Sequence, residues 1–419
     1  MQVTLHTPAP RGTLQAFPSK SEAHRVLICA ALANAPTHVV CGATNDDIDA
    51  TVECLCALGA QIERTAQGFY VTPVSKPVAY AELDVRESGS TLRFLLPVIA
   101  ALGTSARIAR RGRLPARPLS PLRELLEQSG VHLADRADGS LAISGQLCGS
   151  DFPIAANVSS QFISGLLFAL PLLDLTADCR VQLIGQTESR PYLDMTLAAL
   201  AAFGIGITEQ GGVLTVPAHS RYTSPGTLTV GGDWSGAAAF ACMGALGTFP
   251  LTITGLDPHS VQGDRAVLSV LSQMGADVRI GKDGVTVAPA PLHGVQIDAT
   301  DIPDLVPVLA ATAALASGTT RITGAGRLRI KESDRLATTT AVLTALGADV
   351  TETEDGLIII GKPVLAGGSV DAYGDHRIAM TAAVASLGCT SPVMINGAQA
   401  VAKSYPTFWE QLDLLCKPL

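Results

Sequence analysis

Between Arg327 and Arg335 the chain reads RLRIKESDR, four cations and two carboxylates in nine residues of a protein that is only 16% charged. Lys331, Glu332, Ser333, Asp334 and Arg335 lie between an apolar, glycine-rich stretch (310–326) and a helical run that ends LTALGADV. The segment reads as a loop feeding a helix start, where backbone N–H groups and side-chain cations can meet an anion. Both signs together suit more than anion binding. The cations hold a charged substrate while a carboxylate moves a proton. Taken alone, the segment is explained equally well as a salt-bridged helix face with i,i+4 pairs.

Polar residues recur at the starts of other apolar helices. SKSEAHR supplies Ser19, Lys20, Ser21, His24 and Arg25; ESGSTLR supplies Glu87, Ser88, Gly89, Ser90 and Arg93; NVSSQF supplies Ser159, Ser160 and Gln161. Two more helices begin at Asp304 and at Gly374-Asp375-His376-Arg377, and two further clusters are RRGRLPARP (110–118) and Lys403-Ser404-Tyr405-Pro406. If such helix starts point one way within a domain, their dipole ends and free N–H groups face one cleft. Ser and Gly allow close backbone approach to an anion, and Arg adds a bidentate fork for phosphate or carboxylate. Singly, each has a plain structural reading. Ser-Ser before an apolar helix is an N-cap, RRGR is a solvated loop, and His376 is a satisfied core histidine. Their return at one phase of a repeat favours a collective role: two domains closing on a multiply anionic small substrate.

The elements that must position these residues repeat along the chain. Six Ala/Leu-rich helix candidates recur roughly 70 residues apart: RVLICAALANA from Arg25, LRFLLPVIAALG from Leu92, QFISGLLFALPLL from Gln161, WSGAAAFACMGALG from Trp234, DLVPVLAATAALASG from Asp304 and HRIAMTAAVASLG from His376. A helix apolar on every face must be buried. A second signature, LGAQIE, SGVHLA, FGIGIT, MGADVR and LGADVT, follows amphipathic helices and puts Gly where a helix ends and a strand begins. Each unit thus holds one buried helix, one amphipathic helix and several short strands, an α/β (α+β) pattern. No unit resembles a polar end cap, so a closed arrangement is expected. Residues 3–8 would complete the last unit, so that both termini share a domain (1–18 with 230–419) and the other domain spans 19–229, the site lying in the cleft between them.

Composition bounds the function. The 419 residues, 47% hydrophobic with 40 glycines, suit a compact multi-domain protein. A net charge of −8 argues against nucleic acid as a general partner. The start MQVTL reads as a strand rather than a leader, and apolar runs such as 305–316 fall short of the roughly 18–20 residues of a membrane span. Nine scattered cysteines without a CxxC pair suggest reduced thiols in a cytoplasm and no zinc site; Cys54-Leu-Cys56 is a weak metal pattern.

Nine stretches in order, SKSEAHR (19–25), ESGSTLRFL (87–95), ARPLSPL (116–122), SSQF (159–162), ESRPY (188–192), IPDL (302–305), KESDRL (331–336), GDHRIAM (374–380) and KSYPTF (403–408), resemble the enolpyruvyl transferases, and among them the EPSP synthase family. The resemblance spans essentially the whole chain. It implies a two-domain inside-out α/β barrel with six βαβαββ repeats, three per domain. It implies transfer of the enolpyruvyl group of phosphoenolpyruvate to the 5-hydroxyl of shikimate 3-phosphate, releasing phosphate, with no metal or organic cofactor. A cytoplasmic monomer with no membrane partner is expected.

By the same resemblance Asp304 is the base near the shikimate hydroxyl, Glu332 gives and takes the proton at the methylene carbon, and Lys20 bridges both substrates. Lys20, Ser21, Arg25, Ser159, Ser160, Gln161, Ser189, Asp304 and Lys331 match contacts to shikimate 3-phosphate. Lys20, Gly89, Arg117, Gln161, Arg335, Arg377 and Lys403 match contacts to phosphoenolpyruvate. Asp334 is expected to orient its neighbours, while Arg327 and Arg329 have no assigned role. Glu87-Ser88, Ser90 and Arg327 depart from residues common in the family. Two rival readings remain. The sister family acting on UDP-N-acetylglucosamine often carries a Cys in the loop that RGRLPARP matches, and no Cys lies between Cys56 and Cys148. A non-catalytic anion-binding scaffold would gain nothing from placing Asp304 and Glu332 among its cations.

Overall fold

The computed structural model describes residues 1–173, 175–282 and 284–417. The chain divides into two compact units. The terminal unit comprises Met1–Ser19 and Gly231–Leu419, and the inserted unit comprises Lys20–Val230.

Twelve α-helices are described. In the inserted unit they are α1 (Lys20–Ala31), α2 (Asp46–Ala57), α3 (Gly89–Ala101), α4 (Leu122–Gln128), α5 (Ser160–Ala169) and α6 (Arg190–Ala202). In the terminal unit they are α7 (Trp234–Leu246), α8 (Val267–Gln273), α9 (Val306–Ala314), α10 (Arg335–Ala345), α11 (His376–Ala385) and α12 (Phe408–Cys416). Odd-numbered helices are the apolar ones of each repeat. In α7, WSGAAAFACMGAL, every residue from Trp234 to Ala245 is buried, as a helix without a polar face requires. Small residues let these helices approach closely. A Cβ on Gly165 of α5 would collide with the Arg93 carbonyl of α3.

Each repeat lays its strands in one sheet with a fixed order. Tyr80–Asp84 runs parallel to Ser105–Ala109 on the far side of α3 (Leu83 opposite Ile108), and the hairpin Val131–Asp135/Leu141–Gly145 adds antiparallel to it after α4. The parallel pair needs a crossover, and the buried helix is that crossover. Four other sheets repeat this order. Chain closure completes three of the six. Thr227–Thr229 joins the sheet of Thr37–Val40, Gly12–Gln15 joins that of Leu251–Thr254, and Gln2–Leu5 pairs antiparallel with Val393–Asn396, Val3 opposite Ile395. The chain is therefore a mixed α/β protein of six repeated units.

Gly59, Gly130, Gly204, Gly275 and Gly347, which follow α2, α4, α6, α8 and α10, all have positive φ. These are the glycines of the LGA-type signature, and glycine holds that conformation without a Cβ clash. The nine cysteines are free thiols. Among the described residues no helix is long and apolar enough to cross a membrane, and no group of three His, Cys, Asp or Glu side chains could hold a metal ion.

Candidate active site

In the inserted unit the helix starts gather hydroxyls, amides and cations. α1 begins at Lys20, earlier than its apolar run, so Lys20, Ser21 and Arg25 share its first turns. The Lys20 ammonium lies 3.1 Å from Asp47 Oδ2, at the start of α2. Arg25 is buried, with its guanidinium carbon 5.0 Å from the centre of the Phe94 ring. Its Nε donates to Thr196 Oγ1 (2.8 Å), Nη1 to the Ser21 carbonyl (2.6 Å) and Nη2 to the Tyr192 carbonyl (2.8 Å). Burial lowers Arg25 to about 10, against the opposing pull of Tyr192, so it stays a cation at neutral pH. Two of its five N–H groups tie α1 to α6 and a third bonds within α1, which leaves two for an anion. Ser189, directly before α6, holds a left-handed conformation (φ 55°, ψ 42°) that strains a non-glycine residue.

Gly89 opens α3, and a Cβ there would stand 2.9 Å from Arg93 Nη1 and 3.0 Å from Arg117 Nη1. Arg93 donates to Gln161 Oε1 (2.8 Å), and Gln161 Nε2 donates to Ser90 Oγ (2.9 Å). Ser159 caps α5 by accepting from the Gln161 N–H. Gly89, Arg117, Ser159, Ser160 and Gln161 thus meet in one patch. Arg93, which has no specific role in the motif reading, sits at its centre. Its signal was the i+4 spacing from Gly89, which sends a helical side chain back over the preceding turn. Behind the patch runs a buried chain of hydrogen bonds. His24 Nδ1 lies 2.6 Å from Thr51 Oγ1, Thr51 Oγ1 lies 2.7 Å from Thr91 Oγ1, and Thr91 donates to Ser88 Oγ (2.8 Å).

In the terminal unit both signs of charge interleave. Arg335 opens α10 and is 2% exposed. Its Nη1 donates to Asp304 Oδ1 (2.8 Å), Nη2 to Glu332 Oε2 (2.8 Å) and to Asp375 Oδ1 (3.2 Å), and Nε to Asp375 Oδ2 (2.8 Å). Burial disfavours this cation, but Asp375, Glu332 and Asp304 outweigh it and hold the guanidinium firmly protonated. Asp304 sits in the turn Pro303–Leu305 that leads into α9. Burial pushes its carboxyl up, yet Arg377, Lys331 and Arg335 prevail and keep it well below the usual carboxylate range. Arg377, in α11, donates from Nη1 to the Ser235 carbonyl (2.8 Å) and from Nη2 to Ser235 Oγ (2.5 Å) and Asp304 Oδ2 (3.4 Å). Its buried Nε has no acceptor among the described residues.

Lys331 is lowered to about 8, chiefly by burial, with Arg335 and Arg327 adding to it against Asp304 and Glu332. Lys403 Nζ stands 3.6 Å from Glu332 Oε1. Asp375 caps α11 by accepting from the Arg377 N–H (2.9 Å) and also accepts from Ser333 Oγ (3.0 Å). The remaining charges of RLRIKESDR are architectural. Arg329 holds Glu352 (2.6 Å) and Asp334 (3.3 Å), and Asp334 caps α10 through the Ala337 N–H (3.2 Å). Arg327 donates to the Thr300 carbonyl.

Asp304, Lys331, Glu332, Arg335, Arg377 and Lys403 therefore form one cluster. Lys20, Ser21, Arg25, Gly89, Arg117, Ser159, Ser160, Gln161 and Ser189 lie at the starts of α1, α3, α5 and α6 and in the loop after Ser105–Ala109.

A family model described as EPSP synthase (3-phosphoshikimate 1-carboxyvinyltransferase) matches residues 7–412. The chain belongs to the EPSP synthase family. It is 39% identical to the 3-phosphoshikimate 1-carboxyvinyltransferase of Clostridium kluyveri, covering 99% of this chain and 97% of that protein. It is 38% identical to the protein of that name from Clostridium novyi, covering 96% and 94%. Among solved structures it is similar to an EPSP synthase of Acinetobacter baumannii, with a TM-score of 0.82 and 26% identity over 99% of this chain and 98% of that one. Glu87 has a visible role. It accepts from the Arg113 N–H (3.1 Å) and lies flat against Gly112, so it tethers the loop that carries Arg117.

Proposed function

We infer that this protein is a 3-phosphoshikimate 1-carboxyvinyltransferase, an enzyme of the shikimate route to aromatic amino acids. It takes phosphoenolpyruvate and shikimate 3-phosphate as small-molecule substrates. The full-length relationship to enzymes of that name supports the assignment. The observation that carries the chemistry is that two carboxylates, Asp304 and Glu332, share Arg335 within a ring of further cations.

In this reading the shikimate 5-hydroxyl adds to C2 of phosphoenolpyruvate while a proton reaches C3. The resulting tetrahedral adduct then loses phosphate, and a C3 proton leaves to restore the double bond. Asp304 is a poor base while three cations hold it, because its proton affinity is low. Substrate anions that draw on Arg377, Lys331 and Arg335 would raise that affinity when the hydroxyl must be deprotonated. Glu332, between Arg335 and Lys403, delivers and removes the proton at C3. Lys20, Ser21, Arg25, Ser159, Ser160, Gln161, Ser189 and Lys331 bind shikimate 3-phosphate. Gly89, Arg117, Gln161, Arg335, Arg377, Lys403 and Lys20 bind phosphoenolpyruvate. Each charge-assisted hydrogen bond contributes about 1.5–3 kcal/mol. Excluding water from the bound substrates would protect the adduct. The protein is read as a monomer of the cytoplasm, a reducing compartment that suits its nine scattered thiols.

The purified protein should release phosphate from phosphoenolpyruvate when shikimate 3-phosphate is present and not without it. Release driven by UDP-N-acetylglucosamine instead would move the assignment to the sister activity.

A further inference from the structure

Asp264 lies in the turn Gly263–Ala266, is buried, and is assigned to neither substrate. Its Oδ2 accepts from the hydroxyl of Ser235, in the first turn of α7. The same Ser235 oxygen accepts from Arg377 Nη2 at 2.5 Å, and the Ser235 carbonyl accepts from Nη1 at 2.8 Å. A serine hydroxyl has one proton to give. Giving it to Asp264 turns its lone pairs towards Arg377. Asp304 takes a longer bond, 3.4 Å, from the same guanidinium nitrogen.

We propose that Asp264 is a positioning residue for Arg377: through Ser235 it sets the hydrogen bonds of the guanidinium and competes with a bound substrate anion for its charge. This rests on the reading above that Arg377 binds phosphoenolpyruvate. The groups facing Asp264 come from three helix starts: Asp233 and Ser235 of α7, Asp304 before α9, and Arg377 of α11. On its own turn, Arg265 is engaged with the Pro258 carbonyl. Burial, then Asp304 and Asp233, push the Asp264 carboxyl up, against Arg377 and the Ser235 hydroxyl, to about 7. It therefore changes charge near neutral pH. An anion on Arg377 weakens a cation that stabilises the ionised form, so binding favours proton uptake by Asp264. By linkage, substrate affinity falls as pH rises through about 7.

The test compares wild type with Asp264→Asn in steady-state kinetics from about pH 6 to 8.5. The ratio of the two KM values for phosphoenolpyruvate cancels the substrate's own ionisation and that of Lys331. That ratio, wild type over variant, should rise about three- to tenfold across the range, the span of half to one pKa unit of coupling, while the kcat ratio stays level. Ser235→Ala removes a hydrogen bond that holds Asp264 down, so the midpoint of its KM profile should move to higher pH. Trp234 and Trp409 both lie in the terminal unit, and their fluorescence reports whether each variant is folded. If Asp264→Asn does not fold, the Ser235→Ala profile decides alone, and an unmoved midpoint overturns the proposal. A lowered melting temperature with a flat KM ratio marks a purely structural carboxyl and also overturns it. A wild type without turnover overturns the functional reading and the proposal with it; a flat ratio in an active wild type overturns the proposal alone.

Discussion

Arg335→Met should destabilise the terminal unit by about 3–5 kcal/mol, the usual consequence of removing one partner from a buried ion pair. The local geometry supports that size. Arg335 spends four hydrogen bonds on three carboxylates, and the residue itself is 2% exposed. Without it Asp304 keeps Arg377 and Lys331, and Glu332 keeps Lys403 at 3.6 Å. Among the described residues Asp375, fully buried, keeps the neutral donors Ser333 Oγ and the Arg377 N–H, with His376 Nδ1 at 3.7 Å. For a unit of about 200 residues, each kcal/mol shifts the melting temperature by about 2–4 °C, so the variant should melt roughly 6–20 °C lower. Arg335→Lys restores a charge but not the planar fork, and should recover about half of the loss. The pH dependence has a definite sign. The variant loses a cation that favours ionised Asp304, and a carboxylate short of its cation is more easily accommodated protonated. The deficit should therefore shrink as pH falls from 7 towards 5. Scanning calorimetry at several pH values, with tryptophan fluorescence alongside, measures this. A Met variant within about 2 °C of wild type, or a deficit unchanged by pH, would refute the clamp.

Glu332→Gln keeps an oxygen for Arg335 and the side-chain volume but removes the carboxylate. In the phosphate-release assay kcat should fall by about 10²-fold or more with KM for shikimate 3-phosphate within about threefold, and near-normal turnover would remove its proton role. His24 is buried and neutral, lowered to about 3 mainly by burial, with Lys20 and Arg25 adding and Asp47 opposing. Its contribution is complete above the unfolded value and is lost as pH falls, by about 2 kcal/mol between pH 7 and 5. His24→Asn should lose less stability over that interval by calorimetry, and equal slopes would refute it.

Much of this was legible in the chain. A helix such as WSGAAAFACMGALG admits no surface position, so the repeat and its buried helices follow from hydropathy alone. Chemistry on such helices can only sit at their ends, and that is where Lys20, Gly89, Ser159 and Arg377 stand, while Arg335 opens the amphipathic α10. Less legible were the partners that decide electrostatics. Asp375 was visible as a helix start, but its hold on Arg335 joins residues 40 apart in sequence. Ser235 meets Arg377 across 142 residues, and no spacing along one element encodes such a pair. Asp264 sits in an unremarkable QGD turn that drew no attention because its chemistry comes from α7 and α11. The strain at Ser189 was hidden for another reason: a positive φ at serine leaves no compositional trace.

The two units divide the electrostatic work unevenly. At the helix starts of the inserted unit, Arg93, Arg117, Gln161 and serine hydroxyls dominate, and Asp47 faces Lys20. That composition suits capturing an anion and holding it. In the terminal unit every central cation faces a carboxylate, and Asp304 and Asp264 are driven in opposite directions, one well below and one well above the ordinary range. Carboxyls with divergent proton affinities around shared guanidiniums are what acid–base chemistry requires. A buried network of this kind is poor evidence for stability, since well-packed apolar residues would hold the fold as well or better. The all-apolar helices bury apolar surface along their whole lengths, which leaves their ends to carry charges that folding alone would not favour.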